Sequence, residues 1–581
     1  MPRLTKEALS QYLRTGCQRQ LRLNLSPDTQ AYRAERQREG MPPPQPPRPG
    51  LEYIAQAGDE WQDEKLHDLT QTFGAHVVLG VPAQTQPASG HIRYTKQPLT
   101  TALTGATVDR FIIEAEYDVT ATFINALGIA NLRTQFSLDY GKLRPDIIQV
   151  CAARTFDTFV APDGEVYPLP LGDTRMQLRV VDIKLTSEPS PGHFAELTYY
   201  TMTLAAWLID TGHDRDYIVV PDAAIWPGSH DASELVKYLS EARRQNVTPT
   251  TRQLLDALER DFELAPFDAF VYRARRFLQV DIPYVLGQPW LSLPWHVDNR
   301  CKGCEYLGQD WRNAQGQSTA HPDHCLPMAK ASDHLSRVAF STRGATTALR
   351  GHNIGRVADL AQLPVTDPAF EAHQVLRSTR TVIGSRARAL RSGVAGIAIS
   401  SGTSAAMPRW ADLHIYLSTD FDQGSAITFT FGVQAFWMEP LPYGTPSTAT
   451  RATNVYRPRV FVVDQKDMRV EERELLTFLE HVKGILDDAH NRSADTTVQV
   501  YLWDTLQYDH LTRVIGRHLN AILAHQGLAH LAWLFPPEQL LPNPSLITRR
   551  SPVTRVREVV RTVLATQIPH YYTLLGTARV Y

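Results

Sequence analysis

The chain opens on an apolar stripe. Leu9, Tyr12, Leu13 and Leu21 recur near a 3.6-residue period, which predicts a helix over residues 5–22. The stretch 41–50, MPPPQPPRPG, carries six prolines and reads as an extended connector, because proline fixes φ and removes a donor. Helical periodicity returns from about Asp59 to Phe73. Residues 75–185 then switch to β-branched and aromatic runs broken by Gly, Pro and Asp: HVVLGV, ATVDRFIIEAEYDVT, LRPDIIQVCAAR and MQLRVVDIKLTS. Residues 192–211 return to helix and stop at Gly212, and residues 230–280 are mostly helical in pattern. A cysteine-bearing loop region covers 296–327, and a short helical stretch includes LRGHNIGRVADLAQLP (349–364).

From Leu413 the pattern resets. LHIYLSTDFD and SAITFTFGVQAFWM alternate like two strands around a Gly-containing turn. EERELLTFLEHVKGILDDAH is an amphipathic helix, TTVQVYLWD a strand and YDHLTRVIGRHLNAILAHQG a helix. Alternating strands and helices predict a second α/β domain. The reading is an α/β multidomain chain: residues 1–330, a helical connector over 331–405, and residues 406–581.

Composition narrows the classes. Lys+Arg is 59 and Asp+Glu 61, for a net charge of −2, which excludes a globally basic nucleic-acid coat but leaves room for a local basic groove. No apolar run approaches the roughly 18 residues of a membrane span. The N-terminal residues lack the apolar core of a secretory signal. Five cysteines in 581 residues make no disulfide scaffold. The expectation is a cytoplasmic protein, free of membrane, with thiols available for a metal or cluster.

The chemistry concentrates in RVVDIKLT (179–186). Asp182 and Lys184 are two apart on a strand, so both point to one face. LRPDIIQV places Asp146 at the start of another strand. Pairing of those strands would bring Asp146 to Asp182, and two carboxylates form a hard oxygen site suited to Mg²⁺ or Mn²⁺. Such a metal activates water and neutralises charge building on a phosphodiester, with Lys184 holding the water or the phosphate. Taken alone, an Asp-x-Lys at a strand end is more often a solvated edge.

With its neighbours, the segment resembles the PD-(D/E)xK nucleases, in their RecB/Cas4-like branch. Arg144-Pro145-Asp146 matches the second motif of that family and Asp182-Ile183-Lys184 its third. The following helix usually carries Q-x-x-x-Y. Here Glu196-Leu-Thr-Tyr-Tyr200 keeps the tyrosine and replaces Gln by Glu. An earlier helix usually offers Gly and then an acidic or His ligand. GDEWQDEKLHDL (58–69) has the Gly, with Gln62 at the ligand position, so Asp63 or Glu64 substitutes or the metal site is weaker. The resemblance implies a mixed sheet flanked by helices and metal-dependent DNA cleavage centred on Asp146, Asp182 and Lys184, with Glu196 and Tyr200 assisting. Tyr199 and Tyr200 beside Leu204 and Trp207 equally suit plain helix packing.

Cys301-Lys-Gly-Cys304 is a C-x-x-C, with Cys325 after 20 intervening residues and Cys17 far upstream. Iron–sulfur members of the same branch share this layout, and by that resemblance Cys17, Cys301, Cys304 and Cys325 would hold a [4Fe–4S] cluster pinning the two ends of the domain. The last gap is longer than usual there. His321, His324 and Cys325 with Cys301 and Cys304 could instead make a structural Zn²⁺ site. Cys151, inside a strand, reads as a buried thiol.

LHIYLSTDFDQGSAITFTFG (413–432) resembles the first hairpin of RNase H-like exonucleases of the DnaQ type, with Asp420 and Asp422 as D-x-D and Asp504 or Asp509 as a further acid. The last expected acid is missing from residues 551–572, so this site is expected to be degenerate, the domain serving as a strand guide or partner platform. A solvated hairpin turn explains Asp420 and Asp422 as well. The modules together resemble the front half of bacterial nuclease–helicase fusions. The sequence carries no G-x-x-x-x-G-K-[ST] loop, which implies a separate helicase partner, in phage defence or DNA repair. RARALRSG (386–393), RPRV (457–460) and TRRSPVTRVREVVRTV (548–563) are candidate DNA tracks. The alternative is a catalytically weak or inactive nuclease fold acting as a DNA-binding scaffold.

Overall fold

A computed structural model describes residues 2–47, 50–186, 188–228, 233–399, 404, 406–408, 410–439, 451–453, 456–537 and 553–580. The helix expected over 5–22 is two helices, α1 (Lys6–Thr15) and α2 (Gln18–Leu25). Gly16 takes φ 59° between them and its N–H donates to the Tyr12 carbonyl, a left-handed cap that glycine adopts without a Cβ penalty. Cys17 stands at that break. α3 (Leu51–Phe73) starts ahead of the periodic stretch that predicted it.

The first sheet has seven strands: β1 (Val78–Leu79), β2 (Arg110–Ile113), β3 (Ile147–Cys151), β4 (Met176–Lys184), β5 (Tyr217–Val219), β6 (Ala224–Pro227) and β7 (Glu263–Leu264). The order is β7-β6-β4-β3-β2-β1, with β5 also on β4. β2, β3 and β4 run antiparallel, while β5 and β6 lie parallel to β4. The parallel pairing requires a crossover, and α4 (Pro191–Asp210) supplies it. The long strand expected across 106–120 is interrupted at Glu114, which turns the chain at φ 54°, and a helix starts at Ala121.

Strand period two sorts the side chains. Ile112, Ile148, Val150, Leu178 and Val180 pack with Leu197, Tyr199 and Leu204 of α4. Phe111, Ile113, Ile147, Val181 and Ile183 pack with Trp61, Leu66, Leu69 and Phe73 of α3. A buried aliphatic at such a position contributes about 1.5–3 kcal/mol. Asp146 and Asp182 share the parity of the α4-facing stripe and forgo that contribution.

The chain divides into two units, Met1–Met328 and Ala329–Tyr581, each a mixture of helices and sheet. In the second, α5 (Arg343–Gly351), α6 (Val357–Gln362) and α7 (Gln374–Ser392) bury Leu349, Val357, Leu360, Leu376 and Ile383 around Phe370, so the stretch expected as a connector has its own core. Its sheet holds β8 (Leu413–Phe421), β9 (Thr428–Glu439), β10 (Arg451–Thr453), β11 (Arg459–Val462), β12 (Val498–Leu502) and β13 (Val553–Arg555). The order is β10-β9-β8-β12-β13, with β11 also on β9. β8, β9 and β11 are antiparallel, and β12 and β13 continue parallel to β8. α8 (Met468–Arg492) covers one face through Leu475, Phe478, Leu479, Val482 and Ile485.

In the first unit, α1 crosses α4 at Gly192. A Cβ there would lie 2.6 Å from Ser10 Oγ and 3.2 Å from the Ser10 carbonyl oxygen. Gly192→Val is therefore predicted to lower stability by about 1–3 kcal/mol in urea denaturation. An unchanged midpoint would contradict this close crossing.

Candidate active site

β4 carries Asp182 and Lys184, and Asp146 stands just ahead of β3. The antiparallel register pairs Val181 with Ile147, so Asp182 falls opposite Asp146. The Ile183 N–H donates to Asp146 Oδ2 at 2.7 Å, which locks that carboxylate against the neighbouring strand. Asp182 is 0% exposed and Asp146 7%, so neither charge is solvated by water. Lys184 Nζ lies 2.5 Å from Asp182 Oδ2 and 3.9 Å from Glu196 Oε2. Among the candidate residues, these four converge.

The two aspartates are a like-charge pair in low dielectric. Burial and the charge of Asp182 push Asp146 well above the usual carboxylate range, only partly offset by Lys184 and Lys6. Burial acts the same way on Asp182, but Lys184 and Lys6 overcome it and hold that carboxylate below its ordinary value. Of the two, Asp146 is the carboxyl whose neutral form is favoured and Asp182 the one whose charge is favoured. Burial and Asp182 also push Glu196 up, against a Ser10 hydrogen bond that lowers it. Lys184 is raised: burial disfavours its charge, but Asp182, Asp146 and Glu196 outweigh that.

Tyr200 holds position rather than a reacting atom. Its hydroxyl donates to the Arg144 carbonyl at 2.9 Å, two residues before Asp146, and its ring is fully buried. Gln62 does not face the aspartates as a ligand. Its Nε2 donates to Glu114 Oε1 at 2.6 Å, and Arg144 Nε reaches Glu114 Oε2 at 2.9 Å. Asp63 is paired with Arg93 at 2.5 Å. Glu114 reaches the site because its positive φ ends β2, and its N–H donates to the Asp146 carbonyl at 3.1 Å. Sequence reasoning missed Glu114, Arg144 as its partner, and Lys6. The acid closing the apolar run Phe111-Ile-Ile113 was the available signal for Glu114.

Among the described residues, no three His, Cys, Asp or Glu side chains gather as a metal-ion group. Mg²⁺ binds through one or two carboxylates and keeps several waters, so a pair of aspartates is the donor set to test against it. Asp182 is fully buried and no backbone N–H donates to either of its carboxylate oxygens, which leaves them to Lys184, Asp146 and an incoming cation. Asp146 and Asp182 are the residues that would hold the ion.

The cysteines carry no disulfide. Burial pushes the Cys304 thiol up, and Cys17, Cys325 and Cys301 act on it in the same direction. Cys325 is pushed up to about 12, by burial first and then by Cys17. Arg19, stacked near Trp290 and Trp295 at 4.9 and 5.0 Å, donates to Met328 Sδ and to the Leu291 carbonyl, and its charge favours the ionised form of Cys325. Four thiols drawn from both ends of the first unit therefore act on one another electrostatically. His324 is committed elsewhere: Nδ1 accepts from the His321 N–H at 2.9 Å and Nε2 meets the Pro43 carbonyl at 2.8 Å. That removes one ligand from the zinc alternative. Burial pushes Cys151 up to about 12, as befits a core thiol.

The acids of the second unit are engaged separately. Asp420 is exposed, with the Thr430 hydroxyl at 3.5 Å. Asp422 closes the hairpin turn, accepting from the N–H groups of Gly424 and Ser425 and from the Ser425 hydroxyl. Asp504 caps the helix Thr505–Arg517 through the Gln507 N–H and lies 3.6 Å from Arg557. Of the basic stretches, Arg386 is buried and donates to the Ala339 carbonyl, while residues 548–552 lie outside the described residues.

No protein-family model, no curated protein and no solved structure matches the chain.

Ion binding between Asp146 and Asp182 must displace the Asp146 proton. Mn²⁺ affinity measured by calorimetry is therefore predicted to rise with pH and to release up to one proton per ion. Affinity that falls or stays flat as pH rises would remove the neutral-Asp146 description.

Proposed function

We propose that the chain is a metal-dependent DNA nuclease subunit of the PD-(D/E)xK, RecB/Cas4-like kind. The observation that carries this reading is the convergence of Asp146, Asp182 and Lys184 at one end of two paired strands, with Glu196 alongside. Mg²⁺ or Mn²⁺, when bound, supplies a polarised water and neutralises charge on the phosphodiester. The chain's own residues do the rest. Asp146 and Asp182 grip the ion, Lys184 holds the nucleophile or a phosphate oxygen, Glu196 keeps Lys184 in place, and Tyr200 pins the turn that presents Asp146. The expected four-cysteine [4Fe–4S] cluster is retained in this reading as a structural clasp.

For the second unit we propose an RNase H-like domain without a working metal site. Four antiparallel strands, β8 to β11, followed by two parallel ones, ordered with the first strand central, support that reading. The separate engagement of Asp422 and Asp504 supports its loss of catalysis. A separate helicase remains the proposed partner, acting on DNA in phage defence or repair, and copurification with ATP-dependent stimulation of cleavage would support it.

One observation favours the scaffold alternative: Gln62 occupies the helix position where the family supplies a ligand, and it is spent on Glu114. An assay on single-stranded and duplex DNA with Mg²⁺ or Mn²⁺ separates the two. Asp182→Asn and Lys184→Gln are predicted to abolish cleavage, a loss of at least about a hundredfold, with an unchanged circular dichroism spectrum and retained DNA binding. Cleavage at the wild-type rate by either variant would remove the catalytic assignment. No cleavage by the wild-type protein, with binding intact, would favour the scaffold.

Anaerobically purified protein is predicted to be brown and to lose its visible absorption in Cys17→Ser. Colourless protein carrying stoichiometric zinc would replace the cluster by the zinc site.

A further inference from the structure

The site contains a second ammonium that no motif flags. Lys6 is the first residue of α1, behind the Thr5 cap, and its Nζ lies 5.2 Å from the centre of the Tyr200 ring. Asp182, Asp146 and Glu196 all act on its charge and keep it ionised despite burial. It in turn favours the ionised form of Glu114. Lys6 is thus within electrostatic reach of Asp146, Asp182, Glu196 and Glu114.

Its hydrogen-bonding capacity is nevertheless unspent. Lys184 is committed to Asp182 at 2.5 Å, with Glu196 at 3.9 Å. Among the described residues, Lys6 makes no hydrogen bond and no ion pair, and its ammonium lies over the Tyr200 ring. An ammonium carries three donors. Lys6 is half-buried rather than removed from water, and its cation–π contact contributes about 0.5–2 kcal/mol. The helix that delivers it is fixed: Ser10, one turn on and on the same face, hydrogen-bonds Glu196 and sits against Gly192. A cation held rigidly beside a metal-type carboxylate pair, with its donors free, suits an anion that arrives with the substrate.

We propose that Lys6 is a phosphate-binding residue: its ammonium takes a non-bridging oxygen of a nucleic-acid strand entering the site, while Lys184 stays with Asp182. The inference rests on the nuclease reading for the identity of the anion, and it adds a residue which that reading did not contain. It also explains why the helix preceding the sheet is fastened to α4. The ring of Tyr200 then has a second task, as the floor on which the ammonium rests.

The test uses the full-length protein in EDTA, so that binding is read without cleavage. Anisotropy of a fluorescein-labelled oligothymidylate is followed across a KCl series for wild type, Lys6→Met and Lys6→Arg. Lys6→Met is expected to weaken binding about tenfold. It is also expected to flatten the slope of log affinity against log salt by about 0.7, the value of one phosphate contact on a single strand. Lys6→Arg is expected to keep the slope. Lys6→Gln serves in place of Lys6→Met if the latter fails to fold. Wild-type cleavage with Mn²⁺ is scored in parallel. An unchanged slope in Lys6→Met with an active wild type overturns the role of Lys6 and leaves the nuclease reading standing. A flattened slope with an inactive wild type upholds Lys6 as a phosphate contact and overturns the nuclease reading. A wild-type protein that neither binds nor cleaves overturns both.

Discussion

Two carboxylates facing each other across adjacent antiparallel strands, both shut away from water, cannot both carry charge without a cation between them. Everything around Asp146 and Asp182 answers that constraint. Lys184 shares the face of Asp182 because strand side chains repeat every two residues, and Lys6 comes in from a helix at the far end of the unit's sequence. Burial and the neighbouring Asp182 favour the neutral form of Asp146. A pair of hydrophobic residues would have served folding better, since the stripe it interrupts is otherwise continuous from Leu178 and Val180 into α4.

Part of this was legible in the sequence because its cause is local. The Asp-x-Lys spacing and the period of the strands determine which side chains share a face once the strands exist. The apolar run before Asp182 marks where the stripe ends. The helix from Pro191 announces itself by its composition. What was not legible depends on tertiary contact. Glu114 sits inside a run with strong strand character and turns the chain only because it is held by Gln62, Arg144 and the Asp146 carbonyl. Lys6 belongs to an unremarkable amphipathic helix, and nothing in its neighbours along the chain says which element it will face. The break at Gly16 was visible as a glycine but was outweighed by the apolar period on either side.

The same distinction applies to the other candidates. Asp422 and Asp504 have the residue types of a metal site, yet a short carboxylate in a hairpin or ahead of a helix is equally the natural acceptor for exposed backbone N–H groups, and that is how both are used. His324 resembles a zinc ligand until its two nitrogens are traced to His321 and Pro43. The cysteines are the converse case. Their spacing is uneven along the chain, but the thiols of Cys17, Cys301, Cys304 and Cys325 influence one another across the length of the first unit. On the proposed reading, α1 links that cysteine group to the carboxylate site: Cys17 follows its last turn and Lys6 begins its first.

The central claim is that the aspartate pair is a cation site, and anomalous scattering from crystals soaked in Mn²⁺ tests it most directly. The account predicts one strong peak within coordination distance of both Asp146 and Asp182, with Lys184 displaced from Asp182 Oδ2 but still beside the pair. A Mn²⁺ ion bound elsewhere, with none at the two carboxylates, would contradict it.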